Sequence, residues 1–270
     1  MIVSTCNGHF QLIRQTDHAE LSGMLAEHWG NDTFGRPEPL APMVLAAALH
    51  DDGWREWESH PRINPATHVP YQFTELPVPE HLAFYLRGVE QVIARDRYAG
   101  LMVSMHCEGL YNGRYGIDPS LPPAQFPPDV RHLVQQSRER LEAQQRDLRR
   151  QLREAGTPAT DLEEKHVWAN YKLLQIFDRL SLFLCMPPLR ERTLGPAPVG
   201  YEDRDVELRL RPVDDRTVGI TPYPFGATPL RVSVKAKMIP HKRYDNDEQF
   251  RDVLEQAVGV VLDFQFVHSS

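Results

Sequence analysis

The spacing of hydrophobic residues changes character along the chain. Ile2 to Thr5 and Phe10 to Ile13 are short runs of strand formers separated by Asn7-Gly8, a pair suited to a tight turn, so residues 1–15 are predicted to form a β-hairpin. From Asp17 to Trp29 the spacing becomes helical. His18, Leu21, Leu25 and His28 recur on one face, Thr16 or Asp17 supplies a cap, and Gly30-Asn31 a stop. Pro42 then starts a second helix whose run Met43 to Leu49 is too continuously apolar for an exposed helix, which predicts burial. Trp54 to Pro79 reads as a long proline-bearing loop that forms one wall of a cleft. Helices follow over Glu80–Ala94 and Ala99–Leu110, and a second irregular stretch runs from Asn112 to Pro128.

Asp129 to Ala155 reads as a long charged helix with a sparse seam at Leu133, Val134, Leu141, Leu148 and Leu152, closed by Gly156-Thr157-Pro158. A helix over Ala159–Leu184 returns from it. The short connection predicts a helical hairpin across residues 129–186, its distal half projecting as a solvated face or a dimerisation arm. After Pro187-Pro188 the pattern turns to strands at Val206–Leu210, Val218–Ile220, Leu230–Ala236 and Val260–Phe266, with one helix near Glu248–Ala257. The expected architecture is mainly α. A helical core over 16–186 carries the N-terminal hairpin and a β-rich C-terminal part over 200–270, α+β overall.

Composition narrows the function classes. With 270 residues, 41% of them hydrophobic, the chain is long enough to build a core of its own. A formal net charge of −7 argues against a general nucleic-acid binder. Cys6, Cys107 and Cys185 are scattered without a paired motif, which fits a reducing cytoplasm and argues against both a disulfide framework and a thiolate zinc site. The opening MIVSTCNGHFQLIRQ has no leader pattern, and no stretch approaches the roughly 18 apolar residues of a membrane span, so a soluble cytoplasmic protein is expected.

The chemistry concentrates at His50-Asp51. Two adjacent ionisable side chains close an apolar helix, where burial without partners costs several kcal/mol. A divalent cation compensates both, and imidazole with carboxylate suits iron, manganese or zinc, with magnesium possible. A hydrogen-bonded helix end is the simpler explanation of the dipeptide alone. Asp178 adds a second signal, since it lies in YKLLQIFDRLSLFLC, apolar almost all round, and shares a face with Tyr171, Leu174, Ser181, Leu182 and Cys185. A carboxylate there needs a metal, an arginine from elsewhere or several donors. Adjacent Arg179 points to a different side of the helix.

An early His, an adjacent His-Asp and a late Asp within an apolar helix resemble the HD superfamily of metal-dependent phosphohydrolases. Here these are His18, His50-Asp51, and Asp178 in FDRLSL, over roughly residues 15 to 186. More narrowly, QTDHAELSGMLAEHWG, AAALHDDGWREWE, YAGLMVSMHCEGLYNGRYG and PLRVSVKAKMIPHKRY resemble an uncharacterised bacterial family labelled a domain of unknown function (3891). The HD resemblance implies an HD-domain-like helical bundle in which His18, His50, Asp51 and Asp178 ligate one metal, with positions left for water or substrate. His106, on a mostly apolar helix, would hold a second metal, or else hydrogen-bond substrate or Asp51 without touching metal.

The expected activity is hydrolysis of a phosphoester on a small phosphorylated substrate through a metal-bound water, with Asp51 or Asp52 accepting the proton and His106 assisting. Trp54, Tyr111 and Tyr115 would wall the pocket, and Arg55, Arg114 and Lys172 would bind an anion if they are more than surface charges. HDDGW lacks the lysine or histidine that many nucleotide-cleaving HD enzymes place there. Two other readings stay open: a mixed-valent di-iron oxygenase of the HD fold, completed through His106, and a non-catalytic binding protein that retains the pocket. A homodimer is compatible with each.

Overall fold

The computed structural model describes residues 1–117 and 125–269; the part of the predicted irregular stretch that falls on 118–124 lies outside them. Strands β1 (Ile2–Cys6) and β2 (His9–Ile13) form the opening hairpin, with Asn7 and Gly8 both at positive φ in its turn. Helix α1 (Gln15–His28) begins two residues before the predicted start. Neither Thr16 nor Asp17 caps it. Asp17 is held by Arg14 at 2.6 and 2.8 Å, and the first amides are capped from elsewhere in the chain by Glu58, which accepts from Gln15 N at 2.6 Å and Thr16 N at 3.3 Å.

Helix α2 (Leu40–Leu49) is followed by a tight turn over Asp52–Trp54 and by α3 (Arg55–Ser59). The stretch read as loop therefore starts with helical turns, and it continues with a small hairpin of β3 (Ile63–Asn64) and β4 (Val69–Pro70). Helices α4 (Val78–Arg95), α5 (Arg97–Tyr111), α6 (Pro128–Glu154) and α7 (Glu164–Cys185) come next. Rather than pairing with α7 along its length, α6 packs on α4 and α5, while α7 runs against α1, α2 and α5. Seam residues Val134, Leu141, Leu148 and Leu152 are buried, and Leu133 is exposed.

The remaining elements are β5 (Arg192–Pro198), β6 (Asp205–Pro212), β7 (Thr217–Thr221), β8 (Leu230–Pro240), α8 (Asp247–Gln256) and β9 (Gly259–His268). Seven strands form one curled sheet in the order β1-β2-β8-β9-β7-β6-β5, antiparallel except for the parallel β7–β9 pair. The expected mainly α bundle is thereby corrected to an α+β fold. The sheet is a full layer of the protein, not an elaboration on a bundle. Its continuity rests on β2 pairing with β8, Phe10 opposite Ile239 and Leu12 opposite Lys237, and the two faces of β8 alternate buried and exposed as a half-covered strand requires.

This layer positions the helices. Only Arg14 separates β2 from α1, α1 packs on β8, and α7 packs on β5. The sheet therefore fixes α1 and α7 side by side, and α2 and α5 complete the packing around them. No described helix is long and apolar enough to cross a membrane.

Candidate metal centre

Helix α2 ends at His50, whose Nδ1–H donates to the Ala47 carbonyl at 2.8 Å. Ala47 O is one of the terminal carbonyls that a helix leaves without a partner, so the side chain caps its own helix. The bond also fixes the tautomer and turns Nε2 into the protein interior. On α1, His18 is fixed similarly. Ser181 Oγ donates to the Asp178 carbonyl at 2.9 Å and so accepts Nδ1–H of His18 at 2.7 Å. Ser22 Oγ lies 2.8 Å from Ser181 Oγ and supports the arrangement.

Both Nε2 atoms face carboxylates. His18 Nε2 lies 3.0 Å from Asp51 Oδ2 and 4.0 Å from Asp178 Oδ1, and His50 Nε2 lies 3.8 and 3.6 Å from the same two oxygens. His18, His50, Asp51, Asp178 and His106 are each between 1 and 3% exposed. A lone pair held against a carboxylate oxygen in a dry interior is repulsive unless a proton or a metal cation lies between them. His50 Nε2 has no hydrogen-bond partner. Donors that each lie about 2.1 Å from one first-row divalent ion are roughly 3.0 to 4.2 Å apart, and the four histidine–carboxylate separations fall within that range. The donor set therefore fits a metal ion.

The outer oxygen of each carboxylate is tied back. Asp51 Oδ1 accepts from Tyr85 Oη–H at 2.6 Å, and Trp54 Nε1–H donates to that Tyr85 oxygen at 3.3 Å. Gln15 Nε2 donates to Asp51 Oδ2 at 3.1 Å. Asp178 Oδ2 accepts from Arg114 Nη2 at 3.1 Å. Asp51 and Asp178 thus each turn one oxygen toward the histidines. Tyr85 arrives there because α4 meets the turn after Asp51 backbone to backbone: a Cβ on Gly53 would lie 2.1 Å from the Phe84 carbonyl oxygen, and one on Gly88 2.7 Å from Gly53 N.

Electrostatics follow this geometry. Burial disfavours the charged form of His50, but Asp51 and Asp178 outweigh it and raise its pKa to about 9. Burial also works against ionised Asp51 and Asp178. The neighbouring histidines, joined by Arg114 at Asp178, nevertheless hold both carboxyls well below the usual range. His106 is driven the other way, to about 3, by burial and by the His50 charge. It remains a neutral ring.

His106 groups with His50 and Asp178, their ligand atoms within 4.8 Å of one another, while His18, His50 and Asp51 form a second such triplet. Its ring centroid is 4.9 Å from that of His50, and its Nδ1 is 3.1 Å from Gln175 Nε2. The other expected residues divide. Trp54 is fully buried beside the centre and supports Tyr85. Arg114 reaches Asp178. Asp52 is buried but bonded to Arg55, and it belongs to neither triplet; Arg55 is itself directed to Asp52. Tyr111 bonds His81 and packs with Leu82 and Val134 in a separate small cluster. Lys172 pairs with Asp205 at 2.6 Å. Tyr115 donates to Glu108 at 2.7 Å.

Sequence reasoning missed Gln15, Tyr85 and Gln175. Gln175 stands three residues before Asp178, so helical spacing was a usable signal for it. Nothing local marks Gln15 or Tyr85, which reach Asp51 only through the packing of α1 and α4.

The chain belongs to the family described as protein of unknown function (DUF3891), which matches residues 1–241. No curated protein and no solved structure matches it.

Proposed function

We propose that this member of the family is a metal-dependent hydrolase of the HD type that cleaves a phosphoester. One observation carries the reading: His18 on α1, His50 and Asp51 in the turn that ends α2, and Asp178 on α7 turn N and O atoms toward one another with His50 Nε2 left unpaired in the interior. Imidazole with carboxylate favours iron, manganese or zinc over magnesium. Bound there, the metal would supply a water nucleophile at neutral pH and polarise a phosphoryl oxygen.

The protein's own groups do the rest. The Nδ1 hydrogen bonds of His18 and His50 hold their lone pairs in place, and Tyr85 and Gln15 hold the Asp51 carboxylate. Asp51, kept ionised, is the nearby carboxylate able to share a proton. His106 is neutral and takes up a hydrogen-bonding role toward substrate. Asp52 is committed to Arg55 and is assigned no part in proton transfer.

Elemental analysis of protein purified without added metal, followed by a phosphoester panel with Mn, Fe, Zn and Mg, tests the reading. Metal-dependent cleavage is expected. Failure to bind any metal overturns it. The triplet of His50, His106 and Asp178 favours a second reading, a di-iron oxygenase, because it brings one further histidine, His106, to the centre. Oxygen consumption by iron-loaded protein that cleaves no phosphoester would replace the first reading with that one.

A further inference from the structure

Buried polar atoms without partners are few in folded proteins, and here they concentrate around the metal centre. Among the described residues they are Gln15 Oε1, His50 Nε2, Arg114 Nη1, Tyr171 Oη and Gln175 Oε1 near the site, with Trp29 Nε1, Trp57 Nε1 and Arg138 Nε elsewhere. A metal accounts for His50. It does not account for Arg114, Tyr171 or Gln175. Tyr171, Gln175 and Asp178 follow one another at successive turns of one face of α7, so the unpaired groups continue from the metal ligand in a row.

Arg114 is held for this position. Residues 113 to 116 all have positive φ, including Arg114 at +53° and Tyr115 at +56°, a conformation disfavoured for side chains of that size. Tyr115 Oη–H bonded to Glu108 secures the turn, and Arg114 Nη2 bonded to Asp178 aims the guanidinium. A salt bridge alone would leave Nη1 free to reach solvent, yet Nη1 is buried and unpaired. The Arg114 side chain, 15% exposed against 4% for Asp178, connects the centre with the surface. A Cβ on Gly109 would lie 2.2 Å from Tyr171 Oη, so the missing side chain is what lets the hydroxyl stand there.

Charge identifies the ligand. Asp51, Asp178 and Arg114 together leave one net negative charge, which a divalent metal reverses to one positive; a buried positive charge calls for an anion. We infer that Arg114 Nη1, Tyr171 Oη and the Gln175 amide form a subsite beside the metal, Arg114 taking the anionic group and the other two the hydroxyls of a polyhydroxylated phosphate monoester. Tyr171 Oη can donate or accept and Gln175 Oε1, its Nε2 held at His106, accepts, and the hydroxyls of such a skeleton can meet both. The assignment rests on the hydrolase reading.

The test is calorimetric titration of manganese-loaded protein with inorganic phosphate, glycerol 3-phosphate and ethyl phosphate, after manganese itself has been titrated into each variant. Wild type is expected to bind all three, glycerol 3-phosphate tenfold or more tighter than ethyl phosphate. Arg114→Lys should weaken all three at least tenfold while still binding manganese, because an ammonium cannot span Asp178 and the ligand with a planar fork. Tyr171→Phe should abolish the preference for glycerol 3-phosphate and leave inorganic phosphate unaffected. If manganese-loaded wild type binds no phosphate, or Arg114→Lys binds it unchanged, the anion assignment is wrong. Equal affinity for the two esters in wild type overturns the hydroxyl assignment. Failure of wild type to take up any metal, manganese included, overturns the hydrolase reading instead.

Discussion

The imidazole of His50 donates Nδ1–H to the carbonyl of Ala47, three residues earlier, at 2.8 Å. That one bond ends α2, selects the tautomer and leaves Nε2 facing Asp178 Oδ1 at 3.6 Å, beyond hydrogen-bond reach but well within Coulomb range. The helix C-terminus adds a partial negative charge that favours a cation there.

Replacing His50 with alanine should therefore abolish metal uptake. Elemental analysis is expected to read about one metal or more per wild-type chain and background for the variant, with the metal-induced rise in Tm lost as well. Metal content unchanged in His50→Ala would remove His50 from the centre.

Tyr85 would act on a bound metal through Asp51. Tyr85→Phe removes the 2.6 Å bond to Asp51 Oδ1 and lets the carboxylate rotate. Competition titration with a chelator should show metal affinity lowered about 10- to 100-fold, the usual cost of losing a hydrogen bond to a metal ligand. Wild-type affinity in the variant would mean that the Gln15 amide suffices to hold Asp51.

Asp51 and Asp52 are neighbours in sequence with opposite surroundings. Asp51→Asn should eliminate both metal and turnover, whereas Asp52→Asn should keep both and lose only the pairing with Arg55, whose side chain is largely exposed. The expected stability loss for Asp52→Asn is at most about 1 kcal/mol by urea denaturation. Lys172→Ala, which breaks a contact to Asp205, should likewise leave turnover intact. A tenfold drop in kcat for Asp52→Asn would restore it as a candidate base.

Burial lowers the pKa of His81 to about 4, and its neutral Nδ1 accepts the hydroxyl hydrogen of Tyr111. The unfolded chain takes up this proton at about pH 6.5 while the folded chain resists it to about pH 4. Stability from this group is thus complete above about pH 6.5 and declines as pH falls toward 4, by about 2 kcal/mol allowing for partial exposure of the ring. His81→Gln, whose amide oxygen can still accept from Tyr111, should show a flatter decline between pH 7 and 4.5 in urea denaturation. Parallel curves for the two proteins would contradict the assignment.

Local pattern was enough to locate most elements. The Asn7-Gly8 turn, the continuous burial of α2, the seam of α6 and the alternation in β8 follow from spacing and turn chemistry over a few residues. His50, Asp51 and Asp178 stood out for a related reason, since charged groups on apolar helix faces need partners whatever the fold, while His18 joined them only through the resemblance to HD proteins. Strand β5 was not legible, since RTLGPAP carries two prolines and a glycine and becomes a strand only by pairing with β6 at the sheet edge.

Tertiary structure decided what depends on contacts between distant segments. Pairing of β2 with β8 turned an apparent appendage into a seven-stranded layer, because strand partners are chosen by long-range register and not by local propensity. Packing likewise set the start of α1, capped by Glu58 from another element, and chose between adjacent carboxylates, sending Asp51 to the histidines and Asp52 to Arg55. Residue types marked where a metal could bind. Which atoms face one another was determined only when the sheet brought α1 and α7 together and α2 and α5 closed over them.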